Sequence, residues 1–231
     1  MSTTIALAGN PNSGKTTLFN ALTGARQHVG NYPGVTVERK EGSYVLNGQN
    51  LKLIDLPGMY SLTAYSLEEV VARDFLIQEK PAAIVNIVDA ANLERNLYLT
   101  VQFMELGVPV CIALNMIDAA KKRGIEINGQ KLSELMGVPV VPTVARSGQG
   151  KTELMQATGQ LIGEGKLTAP LVISYGEDID NALEEMEKVV ASGLPDSDYP
   201  ARWLALKFLE NDEQILEFCR QKNADMFVHL E

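Results

Sequence analysis

Ile5-Ala6-Leu7-Ala8 runs directly into Gly9-Asn10-Pro11-Asn12-Ser13-Gly14-Lys15-Thr16, a short apolar strand followed by the phosphate-loop pattern G-x-x-x-x-G-K-[ST]. In such a loop the glycines let backbone N–H groups turn inward around phosphates. Lys15 reaches the β and γ oxygens, and the Thr16 hydroxyl is placed to ligate magnesium. The next residues, Thr17-Leu18-Phe19-Asn20-Ala21-Leu22, read as a helix whose positive N-terminal end faces the same anions. Strand, loop and helix in this order imply a nucleoside triphosphate ligand and a doubly wound α/β domain. The phosphate-contacting set is Gly9, Asn10, Asn12, Ser13, Gly14, Lys15, Thr16 and Thr17.

Two further motifs narrow the ligand. Asp55-Leu56-Pro57-Gly58 ends the apolar run Leu51-Lys52-Leu53-Ile54. There Asp55 can hold a magnesium-bound water, and the Gly58 N–H can meet a γ-phosphate. Asn115-Met116-Ile117-Asp118 ends a second apolar run, Val108 to Leu114. The Asp118 carboxylate can accept both N–H donors on the Watson–Crick edge of guanine, whereas adenine would offer it an acceptor and leave buried polar groups unpaired. Taken singly, Asp55 reads equally as a turn residue and Asp118 as a helix cap. In order, each at a strand's carboxyl end, the three motifs are a GTPase signature.

Composition narrows the class. With 231 residues the chain can bury a full core and carry a smaller appendage. Its apolar runs have strand length rather than membrane-span length, and no signal peptide is visible. Cys111 and Cys219 read as two reduced thiols, and His28 and His229 are too few for a zinc site. A formal charge of −9, from 29 acidic against 20 basic residues, argues against nonspecific nucleic-acid binding.

Strand and helix patterns alternate over the first two thirds, as βαβ crossovers require. Strands are expected near 4–8, 36–45, 51–55, 83–89, 108–115 and 138–142. Helices are expected near 15–22, 67–78, 93–106, 133–136 and 151–162. Asn47-Gly48 is a hairpin turn that makes the second and third strands antiparallel. Gly163-Glu164-Gly165-Lys166 marks a boundary, giving a GTP-binding domain over 1–165 and a helical domain over 166–231. The tail carries three apolar stripes at helical spacing: Ile179, Leu183, Met186 and Val190; Trp203, Leu206 and Leu209; Ile215 and Phe218.

The phosphate loop, Val29-Gly30-Asn31-Tyr32-Pro33-Gly34-Val35-Thr36-Val37, Asp55-Leu56-Pro57-Gly58-Met59-Tyr60-Ser61-Leu62 and the tail segment Arg202-Trp203-Leu204-Ala205-Leu206-Lys207 together resemble the FeoB family of bacterial ferrous iron transporters. The resemblance covers essentially the whole chain. It implies a Ras-like G domain followed by a helical domain similar in role to a guanine-nucleotide dissociation inhibitor, on the cytoplasmic face of the bacterial inner membrane. The family's membrane permease is absent from these residues, which implies an excised part of a longer transporter and leaves room for a homo-oligomer of the full-length protein.

The resemblance assigns site residues too. Thr36 falls where the family carries its switch threonine, in a Pro/Gly-containing loop suited to an order–disorder change, and its hydroxyl would complete magnesium coordination when a γ-phosphate is present. Met59 and Tyr60 follow Gly58 where many Ras-like proteins place a water-orienting glutamine, and neither can do that job. Arg26 and Arg39 flank the switch loop without forming a convincing arginine finger. Family likeness implies instead a potassium ion beside the phosphates, ligated partly by Asn12, whose residue type by itself also fits an Asx turn. The catalytic set is therefore Lys15, Thr36, Gly58 and Asn12. Magnesium falls to Thr16, Thr36 and Asp55, and the base to Asn115, Met116, Asp118, Val144 and Ala145. The last G-protein motif normally offers a small Ser-Ala-type turn to the guanine, whereas here it reads Thr143-Val144-Ala145-Arg146-Ser147: Val144 brings no hydroxyl, and Ala145 can still offer its N–H to the base oxygen.

Two other readings share these motifs. A tRNA-modification or ribosome-assembly GTPase would carry a basic RNA-binding appendage, against which the acidic tail argues. A passive nucleotide-gated interaction module would bind guanine nucleotide without needing turnover.

Overall fold

A computed structural model describes residues 3–24, 27–63, 66–163 and 170–230. The domain boundary at 165–166 and Arg26 lie outside the described residues. Seven strands form one sheet in the order β2-β3-β4-β1-β5-β6-β7. Its parallel body is β1 (Thr3–Gly9), β4 (Gln49–Asp55), β5 (Ala83–Asp89), β6 (Val110–Asn115) and β7 (Val140–Pro142). β3 (Glu38–Leu46) and β2 (Gln27–Asn31) add an antiparallel edge. Asn47 and Gly48 both have positive φ, 50° and 81°, the backbone a tight two-residue hairpin turn needs.

The body strands are apolar along nearly every residue because helices cover both faces. On one face Ile5, Leu7, Val85 and Ile87 pack with Leu18, Phe19 and Leu22 of α1 (Lys15–Thr23) and Leu154 and Met155 of α6 (Lys151–Gly163). On the other, Ala6, Ala8, Ile84 and Val88 pack with Phe75 of α2 (Leu67–Glu79) and Leu99 and Phe103 of α3 (Leu93–Glu105). Small α4 (Ile117–Lys122) and α5 (Gly129–Met136) flank β6 and β7 in sequence.

Four features differ from expectation, the first being α4, which none of the expected helices covers. The 36–45 strand starts at Glu38, leaving Thr36 in a loop. An unexpected strand, β2, pairs at the edge of the sheet; all five of its residues are exposed, so it leaves no apolar signature. Four helices, not three, form the tail: α7 (Glu177–Gly193), α8 (Ala201–Leu209), α9 (Glu213–Lys222) and α10 (Ala224–Leu230). Leu183, Val190, Trp203, Ile215, Cys219, Met226 and Phe227 make their core, whereas Ile179 and Leu209 are exposed. No helix among the described residues is long and apolar enough to cross a membrane.

The core beneath α2 and α3 is continuous with that of the tail helices. At their junction Arg73 of α2, 2% exposed, donates to the Asp212 carboxylate at 2.7 Å and to Gln214 Oε1 at 2.7 Å. Asp212 also caps α9, accepting from the Ile215 N–H. Two charges this dry are stable only as a pair. Asp212→Ala is expected to cost about 3–5 kcal/mol in urea unfolding because it strands a buried guanidinium. Asp198→Ala, which breaks the exposed pair with Lys80, should cost under about 1 kcal/mol. Similar costs for the two would refute this account of the junction.

Candidate nucleotide site

The phosphate loop leaves the carboxyl end of β1 and turns on a Ser13 N–H to Asn10 carbonyl bond of 3.1 Å. Gly14 is the N-cap of α1 at φ 89°, a left-handed conformation that favours glycine. A Cβ there would also run into the Asn115 amide nitrogen. Asn12 holds φ 67° and is exposed, a conformation asparagine tolerates better than most residues. Asn10 is 3% exposed, and neither of its amide atoms has a partner among the described residues; the buried Ser13 hydroxyl has none either.

Beside the loop lies a cavity of about 340 Å³ whose lining includes Lys15, Thr16, Thr36 and Asp55. Residues far apart in sequence thus meet at one place. Asp55 is 6% exposed at the end of β4 and is paired with the Lys15 ammonium. Burial raises its carboxyl above the usual range, and the charges of Lys15 and Lys40 partly oppose that rise. Gly58 lies where a Cβ would touch Pro11 at 3.4 Å, so the D-x-x-G turn packs directly on the phosphate loop. Met59 is 1% exposed and its N–H donates to the Gly9 carbonyl; Tyr60 is turned outward with the Arg95 guanidinium 4.2 Å from its ring centre. Arg39 is engaged with Glu41 at 2.8 Å.

Sequence reading passed over Lys40 and Glu38, which line the same cavity and pair with each other at 2.7 Å. The signal was available in the hairpin: counting back from Asn47-Gly48 pairs Leu46 with Gln49 and then Lys40 with Asp55.

At the base end, Asn115 is 1% exposed and reaches two loops. Its Nδ2 donates to the Ser13 carbonyl at 2.8 Å, and its Oδ1 accepts from the Ala145 N–H at 2.9 Å and the Thr143 hydroxyl at 3.4 Å. The Ala145 N–H offered to a base oxygen is therefore donated to Asn115 in this structure. Met116 sits at φ 61° as the N-cap of α4, with its Cε close to Gly14, and Asp118 is exposed in the first turn of that helix. Val144 is held through its backbone, its N–H donating to the Gln149 carbonyl and its carbonyl accepting from the Ser147 and Gly148 N–H groups and from the Ser147 hydroxyl.

A seven-stranded sheet with D-x-x-G, the phosphate loop and N-x-x-D at the carboxyl ends of β4, β1 and β6 defines a P-loop G domain, here followed by a helical part. The chain belongs to the FeoB family: a family model described as ferrous iron transport protein B matches residues 3–158, and one described as FeoB cytosolic helical domain matches residues 175–228. A Fe(2+) transport protein A/Fe(2+) transporter FeoB fusion protein of Porphyromonas gingivalis is 45% identical over 228 residues, covering 97% of this chain and 27% of that protein. This chain thus spans about a quarter of that relative's length. The cytosolic domain of the T. maritima FeoB iron transporter in a GDP form is 38% identical with a TM-score of 0.87, over 96% of this chain and 86% of that one. Its GMPPNP form matches with the same identity and TM-score over 95% and 86%.

Asn115 and Asp118, both expected to read the base, carry different loads, which yields a test. Asn115→Ala strands the buried Ser13 carbonyl and the Ala145 N–H, so it should destabilise the nucleotide-free protein by about 1–3 kcal/mol besides weakening nucleotide binding. Asp118→Asn, at an exposed position, should leave nucleotide-free stability within about 0.5 kcal/mol while weakening GTP binding and favouring xanthine nucleotides. Thermal unfolding and calorimetry with GTP, ATP and XTP decide both, and equal GTP and ATP affinity in the unaltered chain would refute the guanine assignment.

Proposed function

We propose that this chain hydrolyses GTP to GDP and phosphate as the regulatory part of a bacterial ferrous iron transporter, with a G domain over 1–165 and a helical domain over 166–231. The observation that carries the reading is the convergence of Lys15, Thr16, Thr36 and Asp55 on one cavity beside a loop locked by Asn115. In the proposed arrangement the loop amides and Lys15 neutralise charge that develops on the β and γ oxygens, and the Gly58 N–H adds a donor. To receive phosphate, Lys15 gives up part of its contact with Asp55.

The oxygen donors Thr16, Thr36 and Asp55 fit magnesium, which favours hard oxygen ligands and keeps several waters. Bound there, magnesium would supply charge neutralisation across the β- and γ-phosphates. Thr16 and Thr36 would hold it directly, and Asp55 would act through a water. No arginine lines the cavity among the described residues, and the nearby Arg39 is bound to Glu41, so the remaining charge compensation is assigned to potassium at the exposed Asn12 side chain. The membrane permease is the partner in the full-length transporter, which places this part at the cytoplasmic face of the inner membrane.

Phosphate release tests the water-positioning residues. Thr36→Ala should slow turnover on the order of 10–100-fold, as loss of one metal-site group does. Met59→Leu, which keeps the buried volume, and Tyr60→Ala should stay within about threefold. A slow Met59 variant beside a fast Thr36 variant would reverse the assignment.

Potassium is tested by single-turnover rates at equal ionic strength. The rate in potassium should exceed that in sodium by about tenfold or more, and Asn12→Ala should remove most of the difference without a large change in nucleotide affinity. Equal rates in the two salts for the unaltered chain would dismiss the potassium mechanism.

A further inference from the structure

Thr36 stands on a turn that is fastened at both ends. The Tyr32 N–H donates to the Val37 carbonyl at 2.9 Å, the Val35 N–H donates to the Tyr32 carbonyl at 3.3 Å, and Gly34 takes φ 76° to make the reversal. Tyr32 and Val37, which close the turn, are buried; Thr36 between them is exposed and lines the phosphate cavity. Tyr32 is the deeper anchor. Its ring is 6% exposed and stands edge-on to Phe75 of α2, with centroids 6.2 Å apart and planes at 82°. The Arg39 guanidinium lies 5.4 Å from the Tyr32 ring centre and 5.7 Å from that of Phe75. Edge-on aromatic packing and a cation over both rings are each attractive geometries. The Tyr32 hydroxyl is buried with no hydrogen-bond partner among the described residues, so the ring, not the hydroxyl, makes the anchor.

We propose that Tyr32 is a positioning residue for hydrolysis: seated against Phe75 and Arg39, its ring fixes the turn that presents Thr36 to the phosphate cavity. This rests on the reading of Thr36 as the switch threonine. A turn anchored by its own aromatic residue is partly ordered before ligand arrives, so less chain entropy is lost when the γ-phosphate and magnesium engage Thr36. GDP lacks the γ-phosphate and makes no such demand. Tyr32 therefore acts on the triphosphate state selectively.

The test uses the 231-residue chain, Tyr32→Ala, Tyr32→Phe and Thr36→Ala, with single-turnover GTP hydrolysis across a magnesium titration and GDP affinity by calorimetry. Tyr32→Ala should lower the rate about tenfold and move the magnesium midpoint with GTP upward, while GDP affinity stays within about threefold. Tyr32→Phe, which keeps the ring, should behave as the unaltered chain. Phe75→Leu, which leaves Tyr32 in place and removes the edge-on contact, should shift the magnesium midpoint in the same direction, and it carries the test if Tyr32→Ala does not fold. An unchanged magnesium midpoint in the folded variants, equal loss of GDP and GTP affinity, or a Tyr32→Phe variant as impaired as Tyr32→Ala overturns the proposal. Thr36→Ala separates the two levels. If it hydrolyses GTP at the unaltered rate, the switch-threonine reading falls and this proposal with it; if it is slow while Tyr32→Ala is not, only the positioning role falls.

Discussion

One buried amide holds the candidate site together. Asn115 closes β6, which is in register with β5, and β5 is in register with β1, so its side chain starts from a point fixed relative to the phosphate loop. From there a single carboxamide satisfies the Ser13 carbonyl on one side and the Ala145 N–H and Thr143 hydroxyl on the other. In a low-dielectric interior such a network is strong while complete and costly when broken. It also constrains its neighbours. Gly14 is required by the Asn115 amide nitrogen as well as by its own backbone angle, and Met116 takes a left-handed conformation immediately after the amide that fixes the strand end.

Helix α2 is the second organising element, because its faces answer to three different parts of the molecule. Val71, Ala72 and Leu76 belong to the core over the sheet. Phe75 receives the ring of Tyr32. Arg73 spans to the tail helices and also donates to the Leu62 carbonyl at 3.4 Å, while the Leu62 N–H donates to Gln102 of α3 at 2.7 Å. Both backbone groups of a residue just beyond the D-x-x-G turn are thus bound to helices that touch the tail or the sheet. The segment has the connections of a relay and few of the freedoms of an ordinary loop.

The fold was legible where function imposes fixed chemistry on strand ends. The phosphate loop, D-x-x-G, N-x-x-D and the Asn47-Gly48 turn were enough to place the body strands and the antiparallel hairpin, since apolar runs buried on both faces read as strands without needing alternation, while the order of the strands came from the structure. Legibility failed where structure is made by pairing at a distance. β2 and the short α4 carry little apolar periodicity, so neither had a signal of its own. Arg73 and Lys207 carry no local signal of burial; each is buried with a partner far along the chain. In the site, Lys15, Thr16, Thr36 and Asp55 were readable as types and positions, but the closeness of Lys40 and Glu38 came from hairpin register, and the anchoring of Tyr32 came from a helix that follows it by dozens of residues.

Strand β2 buries none of its side chains, and it feeds directly into Tyr32. A strand of that kind has nothing in its own sequence to choose between one alignment on β3 and the next, because sliding by a residue moves no apolar group from core to water. Its alignment is therefore dictated from outside, by the turn that follows it, which the Tyr32 N–H to Val37 carbonyl bond closes and the Tyr32 ring seats. If that turn opens and Tyr32 leaves its seat, the edge of the sheet is free to slip along β3, and the length of slack available to the loop that carries Thr36 is then measured in whole residues rather than in rotations of single bonds.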